Sequence, residues 1–122
     1  MEMPKRMFNT VITDTDTFLD LPATSQNLYF HLGMHGDDDG FVSSPKRIMR
    51  SVGSSEQDMK NLVTAGYVIQ FDSGIVVITD WRINNNLRND RYKPTTYTKE
   101  KASVFLDEMN RYTAGIPNGN QR

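Results

Sequence analysis

The chain has 122 residues with 14 Lys+Arg against 15 Asp+Glu, so it is no general polyanion binder. Any nucleic-acid surface must come from where the charges lie rather than from their sum. No cysteine is present, which excludes disulfides and thiolate metal sites and fits a cytoplasmic protein. The length suits one domain, no apolar run could span a bilayer, and Met1-Glu2-Met3-Pro4-Lys5-Arg6 lacks the apolar core of a signal peptide.

In chain order, Met1 to Arg6 reads as a loose end and Met7 to Ile12 as an extended, partly apolar approach. Thr13-Asp14-Thr15-Asp16 pairs a capping threonine with a carboxylate three positions on, and predicts a short helical turn carrying Phe18 and Leu19. Asp20-Leu21-Pro22 restarts the chain into a helix from about Pro22 to Met34, whose core face is Leu28, Tyr29 and Leu32 with Ser25 beneath. His31 and His35 would share one side of it, close to Asp37-Asp38-Asp39. A metal site can be imagined there, but half-packed histidines and a turn built from Asp and Gly account for the residues better. The run also lacks the alternating ligands and closing glutamate of a calcium loop.

The stretch from Asp39 to Thr79 reads as a winged helix-turn-helix. Phe41-Val42-Ser43 is a very short strand, and Ser44-Pro45 opens a helix to Val52 that turns Ile48, Met49 and Val52 inward. Gly53 ends it. A second helix follows, with a capping box from Ser54 and Gln57 or from Ser55 and Asp58, burying Met59, Leu62, Val63 and Gly66. Two short helices joined at a glycine are the helix-turn-helix signature. Tyr67 to Phe71 and Ile75 to Thr79 then form a hairpin around Asp72-Ser73-Gly74, the wing.

Residues 80–97 form a polar strap rich in Asn, Arg and Tyr, completing a winged-helix domain over residues 1–97. Trp81 there reads as core. Thr98 caps an amphipathic helix over residues 98–113, with Ala102, Phe105, Leu106, Met109 and Tyr112 on one face, and residues 114–122 form a flexible tail. The fold class is α+β, mostly helical: a winged helix with a two-stranded wing and an added C-terminal helix.

Enzymatic motifs are missing. The chain has no phosphate-binding glycine loop and no nucleophile elbow, and its paired serines serve better as helix caps. No catalytic residue, cofactor, metal or small-molecule substrate is expected. Nucleic-acid binding is the sharper reading. The second helix of such a fold presents its outer residues to the major groove, here Ser55, Gln57, Lys60, Asn61 and Thr64. Glu56 and Asp58 at the same end would repel phosphate, and the wing tip Asp72-Ser73 has the wrong sign for a backbone clamp. Lys46, Arg47 and Arg50 on the preceding helix suit phosphate contact. In the strap, Arg82, Arg88, Arg91, Tyr92 and Lys93 combine cations with an aromatic ring, the composition of a surface that follows a strand. The structural alternative is a strap packed on the helical core, with Asn84 to Asn86 bonding local backbone.

Several stretches together resemble the N-terminal domains of replisome-organiser proteins of phages and prophages of Gram-positive bacteria, relatives of DnaD-type primosomal proteins. They are Arg6-Met7-Phe8, Gln26 to Met34, Asp37 to Val42, and Trp81-Arg82-Ile83-Asn84-Asn85 through Arg88, Arg91, Tyr92 and Thr95. The resemblance implies a role in DNA replication initiation: binding origin DNA, helping to recruit a helicase loader, and self-association. Such proteins generally continue into a second, helical domain, whereas this sequence stops at Arg122. The alternative function is a protein-interaction and oligomerisation module, paired through the Phe105-Leu106-Met109 stripe or the wing edge. A transcriptional regulator on the same fold would need a base-reading second helix, against which Glu56 and Asp58 argue.

Overall fold

The structure, a computed structural model, describes residues 5–86 and 91–115. Among them the chain forms seven helices and two small antiparallel sheets, an α+β domain. The approach expected to be extended contains a helical turn, α1 (Thr10–Thr13), because the Asn9 side chain caps it by accepting from the Val11 amide. The expected short turn with Phe18 is α2 (Asp16–Leu19), with the Thr15 hydroxyl accepting from the Phe18 amide at 3.2 Å. The first long helix, α3 (Ala23–Met34), buries Ser25, Leu28, Tyr29, Leu32 and Gly33.

Strand β1 (Phe41–Val42) leads to α4 (Pro45–Val52), which ends at Gly53 in the left-handed region, φ 74°. Ser44 occupies the cap position of α4 without a side-chain bond to the helix. For α5 (Glu56–Thr64) the capping box is the Ser55–Asp58 pair, made in both directions. The hairpin consists of β2 (Val68–Gln70) and β3 (Val76–Ile78), and β1 adds to its far side in the order β1-β3-β2. All three β3 residues are buried, as befits a central strand between two partners. The outer edge of β1 is closed by its own approach: the Asp37 amide donates to the Phe41 carbonyl at 2.9 Å and the Phe41 amide to the Asp37 carboxylate at 3.0 Å.

Helix α3 packs against both α4 and α5. Phe18, Tyr29 and Tyr67 form an edge-to-face cluster with centroids 5.1 to 5.9 Å apart, onto which Phe8 and Phe30 add. Trp81 opens α6 (Trp81–Asn84) and is buried, as its reading as core requires. Two glycines make room for it. A Cβ on Gly36 would stand 2.7 Å from its ring, and one on Gly40 would stand 2.6 Å from it.

The C-terminal part departs from expectation. In place of a helix over residues 98–113 there is a single turn, α7 (Thr98–Lys101), then a hairpin of β4 (Val104–Leu106) and β5 (Tyr112–Ala114). The cause is local. The Asp107 carboxylate accepts from the amides of Met109 and Arg111, fixing a turn in which Asn110 adopts φ 63°. Neither geometry belongs in a helix. The tertiary context agrees, since the Tyr112 amide donates to the Thr79 carbonyl at 2.9 Å. The apolar stripe that suggested a helix is therefore divided, with Met109 exposed at the turn and Phe105 and Leu106 half-buried.

Gly40 combines a positive φ of 91° with the approach of Trp81. Gly40→Ala should therefore lower unfolding free energy by about 2–4 kcal/mol, from backbone strain plus overpacking. Gly74→Ala has the strain without a neighbour within 4 Å and should cost only about 1 kcal/mol. Urea unfolding of the two variants measures the difference.

Candidate nucleic-acid interface

On α4 the exposed residues Lys46, Arg47, Arg50 and Ser51 share one side, opposite the buried Ile48 and Met49. None of the three cations carries an ion pair among the described residues. On α5, Glu56, Gln57, Lys60 and Thr64 are exposed along a second stripe.

The acidic start of α5 is less of an obstacle than its sequence suggests. Asp58 is buried and faces α3: one carboxylate oxygen accepts from the hydroxyls of Thr24 at 2.8 Å and Ser25 at 2.7 Å, the other from the Ser55 amide at 2.9 Å. Burial would push this carboxyl up, but the Ser55 amide and then the Ser25, Thr24 and Ser55 hydroxyls outweigh it and hold it below its ordinary value. Asn61 also turns inward, donating to the Ser25 hydroxyl at 3.0 Å and accepting from Gln57 at 3.0 Å. The Ser55 side chain is engaged as the cap. Of the five α5 residues expected to face DNA, Gln57, Lys60 and Thr64 remain outward, while Asn61 and Ser55 have structural partners.

In the strap, two of the expected contact residues, Arg82 and Tyr92, bond a buried carboxylate. Asp39 is fully buried, and donors converge on it from several elements. The Tyr92 hydroxyl lies 2.8 Å from both its oxygens, the Thr95 amide donates at 2.8 Å, Arg82 at 3.3 Å and Lys101 at 3.4 Å. Its backbone carbonyl accepts from the Tyr112 hydroxyl at 2.7 Å. Neighbouring carboxylates act alike. Asp37 accepts from the Thr95 hydroxyl, and Asp38 from the Lys93 amide at 2.8 Å and from Arg6 at 3.0 Å. Arg6 also lies over the Trp81 ring, 5.3 Å from its centroid. Tyr92 is thus a half-buried donor to Asp39 and Arg82 an exposed one, Lys93 extends an exposed side chain from an anchored backbone, and Arg91 is exposed. Arg88 lies outside the described residues.

The asparagines of the strap clamp the N-terminal approach. Asn84 accepts from the Asn9 amide at 2.8 Å and donates to the buried Tyr29 hydroxyl at 2.9 Å, while Asn85 accepts from the Met7 amide at 2.7 Å. A further pair joins the C-terminal hairpin to this region: Arg111 donates to buried Asp80 at 2.6 Å. Burial, followed by the charge of Asp39, raises the Tyr112 hydroxyl to about 12.

Sequence reasoning missed the acceptor role of Asp37 to Asp39. The clue was available: three adjacent carboxylates before a glycine, and later in the chain a set of tyrosine, threonine and cationic donors. Comparison of the chain with protein-family models, curated proteins and solved structures finds no match. No helix among the described residues is long and apolar enough to cross a membrane.

Two predictions follow from these burials. Asp39→Asn places an amide against the Thr95 N–H, donor facing donor. It should cost about 2–4 kcal/mol in urea unfolding, a range discounted because its Arg82 and Lys101 partners are partly exposed. For Asp58 the folded state lowers the pKa, so its stabilisation is complete above the ordinary value of 3.8 and is lost as pH falls below it. Thermal melts of Asp58→Asn should accordingly be less pH-dependent than wild type on the acid side of that value.

Proposed function

We propose that this chain is a winged-helix DNA-binding domain acting without catalysis in phage-type DNA replication initiation, in the cytoplasm. The observation that carries the proposal is the exposed basic side of α4, without ion pairs among the described residues, together with an outward polar stripe on α5 from which the Asp58 carboxylate is withdrawn. The element order supports the fold reading: α3, β1, α4, a glycine turn, α5 and a hairpin whose inner strand also holds β1. The replication context rests on the resemblance of the quoted stretches to replisome organisers, with DNA, a helicase loader and further copies of the chain as partners.

Lys46, Arg47 and Arg50 supply phosphate contacts on this reading, and Gln57, Lys60 and Thr64 reach towards base edges. The strap contributes to the interface chiefly by fixing the domain, because Arg82 and Tyr92 already serve Asp39. A second reading, assembly without DNA, is favoured by exposed Val11 and Leu19 on α1 and α2, which are 62% and 53% accessible.

Fluorescence anisotropy with labelled duplex DNA across a salt series tests the first reading. Affinity should fall steeply with salt, and the Lys46→Ala/Arg50→Ala variant should lower the slope of log K against log salt by about 2, one for each lost phosphate contact. No binding even at low salt, together with self-association that Leu19→Glu abolishes in sedimentation, would favour the assembly reading instead.

A further inference from the structure

Two concavities lie next to each other on the side of the domain formed by α3, β1 and α4. The first, of about 630 Å³, lies between His31 of α3, His35 just after it, and Arg47 and Ser51 of α4. The second, of about 360 Å³, lies between the Asp37–Asp38 turn and the strap at Lys93 and Tyr97. His35 and Ser43 line both. We infer that the two act as one groove that holds a single nucleic-acid strand, its phosphates running from Arg47 past His35 to Lys93. The inference rests on the nucleic-acid reading above and gives it a second surface, distinct from the outer stripe of α5.

Charge complementarity favours this occupant. Arg47 and Lys93 stand at the two ends, both exposed and without ion pairs among the described residues. The carboxylates in the groove already have donors: Asp38 has Arg6 and the Lys93 amide, and Asp37 has the Thr95 hydroxyl and the Phe41 amide. They therefore oppose an incoming anion less than their number suggests. Ser43 and Ser44 add hydroxyl donors between the cations, and the half-buried Tyr97 ring offers a face for a base. A strand sunk between helix and strap can reach these groups together, whereas a duplex presents its phosphates on a convex surface.

His35 sits where the two concavities meet, its ring held by Nδ1 at 2.9 Å from the His31 carbonyl, so that a charge placed at this position would face the whole groove.

Isothermal titration calorimetry of the full chain tests this, with a short unlabelled oligothymidylate lacking a terminal phosphate. Raising the salt from roughly 0.05 to 0.2 M should weaken wild-type binding about tenfold. His35→Glu and Lys93→Glu should each weaken the oligothymidylate several-fold and leave duplex affinity unchanged, whereas Lys46→Ala/Arg50→Ala should chiefly weaken the duplex. Both substituted groove residues are exposed, so folding is not at stake. Absence of oligothymidylate binding, or binding indifferent to both groove variants, would overturn the inference while leaving duplex recognition to stand on its own result. Polyglutamate binding the same residues more tightly than oligothymidylate would also overturn it, by assigning the groove to an acidic peptide.

Discussion

A carboxylate sealed from water must be met by donors, and the Asp39 side chain sets that demand at the centre of this protein. Four residues answer it: Arg82 from α6, Tyr92 and Thr95 from the strap, and Lys101 from α7. A fifth, Tyr112 of the C-terminal hairpin, bonds the same residue through its carbonyl. Segments without a continuous apolar face are thereby held to a core built mainly from α3, α4, α5 and the three-stranded sheet, to which they add Trp81, Val104 and Tyr112. Such a network has a stringent requirement, since a partly satisfied buried charge is worse than none.

The same network explains which parts of the fold were legible in the sequence. Periodicity and capping chemistry predict α3, α4, α5 and the hairpin, because those elements are decided by local apolar spacing and by residues such as Gly53, Gly74 and Ser55. Between Ser54 and Ser55 as cap of α5, local sequence leaves the choice open. The buried pairing of Asp58 with Ser25 decides it from another helix. Over residues 98–113 the apolar spacing predicts a helix, and the structure has a hairpin instead. Asp107 and Asn110 settle the matter by a turn whose bonds periodicity does not register.

Site residues were harder to read for a related reason. A cation in sequence carries no mark of whether it faces solvent or an internal carboxylate, and Arg82 and Lys46 look alike until Asp39 is placed. Composition made the strap the most basic stretch and α4 a lesser one. In the structure Arg82 and Tyr92 of the strap bond Asp39, whereas Lys46, Arg47 and Arg50 of α4 have no ion pair among the described residues. His31 and His35 raised the thought of a metal, yet the Asp37–Asp39 carboxylates beside them serve protein donors. Gly36 and Gly40, which looked only like loop formers, are also needed for the close approach of Trp81.

The central claim is a division of labour: the strap secures the domain, and the sides of α4 and α5 meet duplex DNA. Backbone amide NMR of the isotopically labelled chain, titrated with duplex DNA at low salt, tests it most directly. The account predicts shift changes concentrated at Lys46 to Ser51 and Gln57 to Thr64, with Tyr92 and Thr95 unmoved. Changes concentrated at Arg82, Tyr92 and Thr95, with α4 silent, would contradict it.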